Sequence, residues 1–275
     1  MQHTWTRRQW LRNMGLRNLG LVCAPLGMQL GEARGAALQE NASTAPADEP
    51  LEIGSRRELF VDDWLIERLR GCRRQLNRPE RREIVFRTDA AWEGNGSGYQ
   101  SIVRDRTRWL MYYRGGHHPA SPAYEKDPRS WETLCVAVST DGLRWRRPEL
   151  GKIAFRGSKK NNIILDQSMV ASIAGSPAHT AVFLDENPEC PPDERFKMVM
   201  RGRKPKGLYL LVSKDGADFR LKSDRPFTTS GAFDSQNLMF WDGERQTYRE
   251  YHRALAGGLR GIMTAASNDP LEFPE

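Results

Sequence analysis

The sequence lacks the features that mark several large classes of protein. Its four cysteines include no Cys-x-x-Cys pair, which argues against a zinc site of the usual spacing. Residues 1–37 hold five arginines and one glutamate of the 42 basic and 35 acidic residues, which leaves 37 basic and 34 acidic residues for the rest of the chain. Because no concentrated basic patch is left, we expect no nucleic-acid partner.

The sequence also lacks a hydrophobic run suited to a membrane span, since the apolar stretch at residues 14–30 is short and rich in glycine. Arg7 and Arg8 precede this stretch, Trp10 and Leu11 follow them, and small residues end it at 33–37. This order is typical of a twin-arginine export signal; the alternatives are a basic amphipathic helix and a wrongly assigned start of the chain. We therefore predict a signal at 1–37, a flexible linker at 38–55 and a folded domain at 56–275. The mature protein is expected to be periplasmic or secreted, with no membrane contact after signal removal.

A short turn motif occurs three times. Ser-x-Asp-(Gly/Pro)-x-x-aromatic is found at residues 139–145, 213–219 and 267–273. The aspartate can accept backbone N–H bonds inside a turn, and the glycine can adopt positive φ. An apolar, strand-like run precedes each copy, and two further strand-like runs lie upstream. The pattern predicts an all-β fold, a β-propeller of four-stranded meander blades with about three blades in this chain. A single β-sandwich with three similar hairpins is the alternative.

The remaining cysteine and histidine residues give weak signals. Cys135 lies in a predicted strand, where we expect a small buried side chain, and a disulfide involving Cys72 or Cys190 stays open. His117 and His118 look like a metal-binding pair, but adjacent side chains on a chain point apart and no third ligand is near. We predict no metal and no cofactor.

Two strand segments and the turn carry a resemblance to a known group. The strand Trp109–Gly115, the segment Glu58–Asp63 and the Ser-x-Asp-Gly-x-x-Trp turn resemble the five-bladed β-propellers of the invertase/arabinanase group, which includes proteins similar to glycoside hydrolase families 32 and 43 and to sialidases. The likeness covers about residues 56–275 and implies that Glu58–Asp63 forms a strand of the closing blade. Since five blades close the ring in that group, the chain is expected to be an N-terminal portion. The Asn-Asp-Pro-Asn-Gly, Arg-Asp-Pro and Glu-Cys motifs of the group are missing.

The resemblance implies that carboxylates near the propeller axis cleave a glycosidic bond, one as acid and one as base or nucleophile. In that group the first strand of each blade lines the axis, so carboxylates that precede these strands are the candidates. This criterion favours Asp234 as base or as a modulator of a pKa, with a loop-capping role as the alternative. Further candidates are Glu93 in a glycine-rich segment, Asp63 in the N-terminal segment, and Glu250 as an acid; the alternatives are a surface turn, a solvated strand end and a pairing with arginine.

Other polar and aromatic residues near the starts of the first strands are predicted to bind substrate. They could stack on a sugar ring or hydrogen-bond its hydroxyl groups; they are His179, Trp92, Tyr99, Gln236 and Asn237. A structural role is the alternative for His179. The leading hypothesis is an exported glycoside hydrolase acting on an oligosaccharide or polysaccharide. The rivals are a non-catalytic propeller that binds glycan or protein, and an inactive fragment.

Overall fold

The computed structural model describes residues 52–55, 57–63, 65–117 and 131–274. The chain divides into two compact units, residues 1–78 and residues 79–275, and all the strands lie in the second. The predicted export signal and most of the predicted linker lie outside the described residues. None of the short helices in the described part is long and apolar enough to cross a membrane.

The strands form three antiparallel sheets in simple meander order, which we call blades 1 to 3. Blade 1 contains β1 (Gly98–Asp105), β2 (Arg108–His117), β3 (Trp131–Ser139) and β4 (Ile163–Asp166). Blade 2 contains β5 (Ala181–Leu184), β6 (Phe196–Arg203), β7 (Lys206–Ser213) and β8 (Arg220–Leu221). Blade 3 contains β9 (Leu238–Asp242), β10 (Thr247–Ala256) and β11 (Leu259–Ser267). The prediction of an all-β fold built from four-stranded meander blades is confirmed, with three strands described in blade 3.

Short 3₁₀ helices occupy the connections and not the sheets. Two of them, Gln167–Ile173 and Pro177–His179, lie between blades 1 and 2, and Pro192–Glu194 lies between β5 and β6. Apolar side chains fill the space on both sides of blade 2. Met198 and Met200 on one face of β6 pack toward blade 1. Val199 on the other face packs toward Phe233, which precedes blade 3. A strand buried on both faces is mostly apolar along its length, and at Phe196–Met200 the apolar run is interrupted by Lys197.

The repeated turn has the geometry that its sequence predicts. Asp141 accepts backbone N–H bonds from Leu143 at 2.9 Å and Arg144 at 2.7 Å, and Asp215 makes the equivalent two bonds at 2.8 and 2.9 Å. The glycine after each aspartate has positive φ, +74° at Gly142 and +80° at Gly216. The backbone bonds from Arg144 and Leu143 lower the pKa of Asp141 to about 2. These aspartates hold turns at the end of each blade opposite the start of its first strand.

Two predicted strands differ from the structure. The described residues before Gly98 form no strand, so the strand expected at Glu58–Asp63 is wrong; Leu59, Phe60 and Val61 are exposed and lie in a segment that pairs with no other described strand. In blade 1, the fourth strand does not begin at the turn aromatic Trp145, where only an isolated bridge between Val138 and Arg146 forms. The strand instead begins at residue 163, after a long connection from the end of β3.

In blades 1 and 2, the aspartate at the end of the first strand binds the following blade. Asp105 at the end of β1 accepts a hydrogen bond from Arg195 at 2.6 Å, and Asp185 after β5 accepts one from Tyr248 at 2.8 Å. Lys197 also forms a buried ion pair with Asp185 at 2.6 Å. The two aspartates lie at equivalent positions, and their partners, Arg195 before β6 and Tyr248 on β10, join consecutive blades at the end where the repeated turns lie.

Candidate functional site

Three arginines occupy equivalent positions in the second strands of the three blades. In each blade, a residue of the second strand pairs with a residue near the start of the first strand, and the arginine follows two residues later on the second strand. The pairs are Tyr112–Ser101 before Arg114, Val199–Ala181 before Arg201 and Tyr251–Leu238 before Arg253. Residues two apart on a strand share a face. Because each pair lies near the start of a first strand, the arginines mark the same end of all three blades, opposite the repeated turns.

The backbone of each arginine is held in the same way. Its carbonyl oxygen accepts a hydrogen bond from the loop that precedes the first strand of its own blade: Ser97 Oγ donates to Arg114 at 2.9 Å, Ser176 N to Arg201 at 3.0 Å and Ala232 N to Arg253 at 3.0 Å. The loops before β1, β5 and β9 therefore gather next to these arginines. We call the polar side chains that meet here the axial cluster: Tyr99, Arg114, Glu132, Ser176, His179, Arg201, Asp234 and Arg253.

A hydrogen-bonded chain joins blade 1 to the loop before blade 2. Ser176 Oγ donates to Glu132 Oε2 at 2.9 Å and lies 3.1 Å from His179 Nδ1. A serine hydroxyl has one proton, and here the proton is given to the carboxylate. His179 Nδ1 must then donate to Ser176 Oγ, which leaves the lone pair of the imidazole on Nε2. Glu132, at the start of β3, is thus held by a neutral histidine acting through serine.

Asp234 supplies the second carboxylate of the axial cluster. Arg253 Nη1 donates to Asp234 Oδ2 at 3.0 Å, and the aspartate side chain remains 47% exposed. Burial acts to raise the pKa of Asp234, but the hydrogen bond and positive charge of Arg253 outweigh burial and hold the pKa below its usual value. Asp234 is therefore an accessible, ionised carboxylate at neutral pH.

The predicted substrate-binding residues fall into two groups. His179 and Tyr99 belong to the axial cluster, with ring centroids 5.6 Å apart. Gln236 instead links the first strands of blades 1 and 2, since its side-chain nitrogen donates to Tyr99 O at 3.2 Å and to Thr180 O at 3.4 Å. Asn237 is fully buried and donates to Ser235 O at 3.0 Å. Their roles in substrate binding stay predictions.

Burial and charge keep His179 neutral. Burial is the largest cause of the shift and lowers the pKa of His179 to about 4; Arg201 and Arg114 act in the same direction, and Glu132 and Asp234 oppose them. The same two carboxylates also act on Arg201. Glu132 and Asp234 come from different blades, and the negative charge of each favours the charged forms of His179 and Arg201.

The low pKa of His179 predicts a pH-dependent stability. In unfolded chain the imidazole takes up a proton near pH 6.5, whereas in folded chain it does so near pH 4. The free energy of unfolding should therefore fall as pH is lowered from about 6.5 to about 4, because the unfolded state binds the proton first. NMR titration should give His179 a midpoint near 4, and His179→Asn should lose the corresponding part of the pH dependence of denaturation. A midpoint near 6.5 would contradict the described burial.

Glu93 lies away from the axial cluster in an enclosed ion pair. Its carboxylate is fully buried and accepts hydrogen bonds from Tyr113 Oη at 2.5 Å and from Arg147 Nε at 2.8 Å. Ala90 N donates a further bond at 2.8 Å. These contacts place Glu93 in the interior of blade 1, where its carboxylate has no exposed oxygen. A catalytic role for Glu93 stays a prediction.

Of the other predicted carboxylates, Glu250 lies outside the axial cluster, and Asp63 is paired within its own unit. Asp63 belongs to the unit formed by residues 1–78, where it pairs with Arg74 at 2.7 Å. Glu250 is buried on the face of β10 toward blade 2 and lies 2.7 Å from His252 Nδ1, beside a cavity of about 230 Å³. Trp92 is half-buried, and its Nε1 donates to Asn162 Oδ1 at 2.7 Å.

Sequence reasoning missed Glu132 and the three arginines. It searched for carboxylates before first strands, whereas Glu132 begins a third strand. In an antiparallel meander, the start of the third strand lies at the same end of the blade as the start of the first strand. Carboxylates that begin third strands, such as Glu132, were therefore also candidates. The arginines had a clearer signal, because they recur at one position of the repeated second strand.

The structure gives no support for a metal centre in its described part. Among those residues, no group of three or more histidine, cysteine, aspartate or glutamate side chains is arranged to hold an ion. His117 is buried and stacks on Trp131 with ring centroids 4.6 Å apart, and His118 lies outside the described residues. Cys72, Cys135 and Cys190 are free thiols, and Cys135 is buried in β3 as predicted.

Comparison with known proteins gives similarity at the level of solved structures alone. No protein-family model matches the chain, and no curated protein matches it. A glycosyl hydrolase from Bacteroides ovatus superimposes with a TM-score of 0.43 and 13% sequence identity, covering 66% of this chain and 49% of that one. A structure from the family 130 of mannoside phosphorylases, described as containing glycoside hydrolases that target β-1,2 mannosidic linkages in Candida mannan, has a TM-score of 0.39 and 12% identity. It covers 67% of this chain and 49% of that one.

The chain therefore spans about half the length of these two solved structures. Similarity at this level assigns no activity.

Proposed function

We propose that this chain is part of an exported glycoside hydrolase, a five-bladed propeller that cleaves glycosidic bonds with carboxylates of the axial cluster. The observation that carries the proposal is the placement of two carboxylates at the same end of the blades: Glu132 accepts a bond from Ser176 in the loop before β5, and Asp234, in the loop before β9, accepts one from Arg253. Two carboxylates with different surroundings are what acid and base roles in glycoside hydrolysis require. The part of the proposal that concerns export rests on the Arg7-Arg8 segment.

The surroundings of the two carboxylates suggest separate roles. Arg253 keeps Asp234 ionised, which suits the base that activates water or the nucleophile that attacks the anomeric carbon. Glu132 is the proposed acid, which in its protonated state gives its proton to the leaving oxygen as the glycosidic C–O bond breaks. Ser176 and His179 orient Glu132 and are positioning residues. Water supplies the hydroxyl group that ends on the anomeric carbon and the proton that restores the acid.

A glycan-binding propeller without catalysis is the second candidate. The observation that favours it is the position of Glu93 and Glu250, two of the four predicted catalytic carboxylates, outside the axial cluster. If the cluster only binds, Asp234 and its arginine partner would serve as hydrogen-bonding groups for sugar hydroxyls. Retained binding with no turnover in the experiment below would favour this candidate.

The leaving group tests the role of Glu132. The full chain would be screened against aryl pentosides, fructosides and sialosides, each with a poor and an activated leaving group. With the poor leaving group, Glu132→Gln should lower kcat/KM by about a hundredfold, because the leaving oxygen needs the acid. With the activated leaving group, the loss should be within about tenfold, since that oxygen leaves without protonation.

Glu149→Gln is the control for this variant, because Glu149 is an exposed glutamate of the connection between β3 and β4. It should behave as the unaltered chain with every substrate. A loss in Glu132→Gln that is the same for both leaving groups would reject Glu132 as the acid. A chain that cleaves none of the glycosides would count against the hydrolase proposal.

A further inference from the structure

We propose that the cavity beside Glu250 and His252 is a second binding site, which takes a neutral ring compound rich in hydroxyl groups, such as a free pyranose. We call this cavity the inter-blade cleft. Its described lining residues include no member of the axial cluster. The site is therefore distinct from the proposed centre of glycoside cleavage and does not require that cleavage occurs.

The walls of the inter-blade cleft come from two sides. Thr228 and Ser230 lie on the connection that leads from blade 2 to blade 3. Strands β10 and β11 supply the facing wall, where directly opposite positions of the antiparallel pair share one face of the sheet. The pairs that line the cleft in this way are Glu250 with Ala265 and His252 with Met263.

The imidazole of His252 has one ring nitrogen without a partner. Its Nδ1 lies 2.7 Å from Glu250 Oε2, whereas its Nε2 is buried and has no hydrogen-bond partner among the described residues. Both side chains are almost fully buried. Leaving a buried polar atom unpaired is unfavourable, so a ligand that pairs with Nε2 would remove that cost. Glu250 fixes the orientation of the ring and acts as a positioning residue.

Gly231 lies against this unpaired nitrogen. Its φ is +156°, and a Cβ built at this position would lie 2.7 Å from His252 Nε2 and 2.6 Å from Phe233 Cε1. Real side chains do not make contacts this short, so only glycine fits here. Glycine at such a position is typical of a backbone that must approach a ligand closely.

A hydroxyl group is the partner that suits Nε2 best. It can donate to a neutral imidazole or accept from a protonated one, whereas an ammonium group can only donate and a carboxylate can only accept. Among the described residues that line the cleft, no arginine or lysine is present to hold an anion, and the Glu250 carboxylate would repel one. These properties favour a neutral ligand with hydroxyl groups over an acidic or a basic one.

The volume and the walls of the inter-blade cleft fit a six-membered ring. A cavity of about 150 Å³ is enough for benzene, and the cleft measures about 230 Å³. Thr228 and Ser230 line it with hydroxyl groups. Its apolar surface comes from Met263, Ala265 and Pro274. A pyranose presents the same two kinds of surface, with hydroxyl groups on its rim and C–H groups on its faces.

NMR titration of the unaltered full chain tests the site, because one histidine reports on the cleft and another on the axial cluster. D-glucose, D-galactose and D-mannose would each be added, followed by the uronate and the 2-amino derivative of the sugar that binds best. We expect at least one neutral sugar to shift the ring resonances of His252, whether or not it also shifts those of His179. Its uronate should bind at least about tenfold more weakly.

Ala265→Leu should fill the cleft without removing a polar group. It is expected to lower the affinity of the neutral sugar by at least about tenfold, measured by the same titration. His252→Gln should lower the affinity by about two- to tenfold, the effect of losing one hydrogen bond between neutral groups. Ala266→Leu is the matched control, because it makes the same change one residue further along β11, where the side chain points to the other face of the sheet. It should leave the affinity unaltered.

Several results would overturn the proposal. They are no shift of His252 with any of the sugars, tighter binding of the uronate or the amino sugar than of the neutral sugar, equal losses in Ala265→Leu and Ala266→Leu, and a folded Ala265→Leu with unchanged affinity. If Ala265→Leu does not fold, the titration of the unaltered chain decides, since it needs no substitution. A sugar that shifts His252 in a chain that cleaves no glycoside would support the cleft and count against the hydrolase.

Discussion

Asp234→Asn is expected to lower the rate of glycoside cleavage by about 10²–10⁴-fold, with poor and activated leaving groups alike. Asparagine keeps the size of the side chain and can still contact Arg253, but it can neither take a proton from water nor attack the anomeric carbon. The loss differs from that proposed for Glu132→Gln, because activation of the leaving group cannot replace a base or nucleophile. Steady-state kinetics with both classes of substrate would measure it.

Asp242→Asn provides a control in the same blade. Asp242 ends β9 at the opposite end from the axial cluster and also pairs with an arginine, Arg245, at 2.8 Å. The hydrogen bond from Arg245 lowers the pKa of Asp242, so both substitutions remove an ionised, arginine-paired aspartate. Unaltered turnover is expected for Asp242→Asn. Equal losses in the two variants would indicate an effect of structure, and full activity in Asp234→Asn would reject its catalytic role.

Glu93→Gln should lower the free energy of unfolding by about 3–5 kcal/mol, the usual cost of removing one partner of a buried ion pair. Glutamine preserves the shape of the side chain but loses the charge that opposes Arg147. It also presents an amide N–H₂ where the carboxylate now accepts bonds from Arg147 Nε at 2.8 Å and Nη2 at 2.9 Å. Chemical denaturation of the full chain would measure the loss.

Asp89→Asn tests whether burial causes that loss, because Asp89 binds the same arginine. Its carboxylate lies 3.0 Å from Arg147 Nη2, but its side chain is 68% exposed, against 0% for Glu93. An exposed pair contributes about 0–1 kcal/mol, so Asp89→Asn should be nearly neutral. Similar losses in the two variants would contradict the structural role assigned to Glu93.

The fold was readable from the sequence where short-range chemistry determines it. The turns at Asp141 and Asp215 depend on bonds between neighbours in the chain, and the strands around them alternate or run apolar as packing requires. The start of β4 was not readable, because the connection after Trp145 contains no pattern that says where pairing resumes. The segment Glu58–Asp63 has strand-like residues, but a strand also needs a partner, and propensity alone does not supply one.

The axial cluster was only partly readable, for a different reason. Asp234 and His179 precede first strands, and the order of strands in the blades was enough to predict them. Glu93 satisfies the same rule, yet a residue far along the chain, Arg147, draws it into the interior. Glu132 reaches the cluster through Ser176, a contact across 44 positions of sequence that no local pattern encodes. Long-range partners thus decide which carboxylates stay accessible.

The opposite ends of the blades differ in how they tolerate changes of chain length. The axial arginines depend on strand register, so one residue added inside β2, β6 or β10 would turn the guanidinium to the other face of the sheet. At the other end, blade 1 carries the long connection 140–162 where blade 2 has only 214–219, and both keep the same turn. A fluorescent tag or a whole guest domain is therefore expected to be tolerated at the exposed residues 157–160 of the blade 1 connection, and not directly beyond Asp215, where Tyr112 Oη of blade 1 donates to Gly216 O at 2.8 Å.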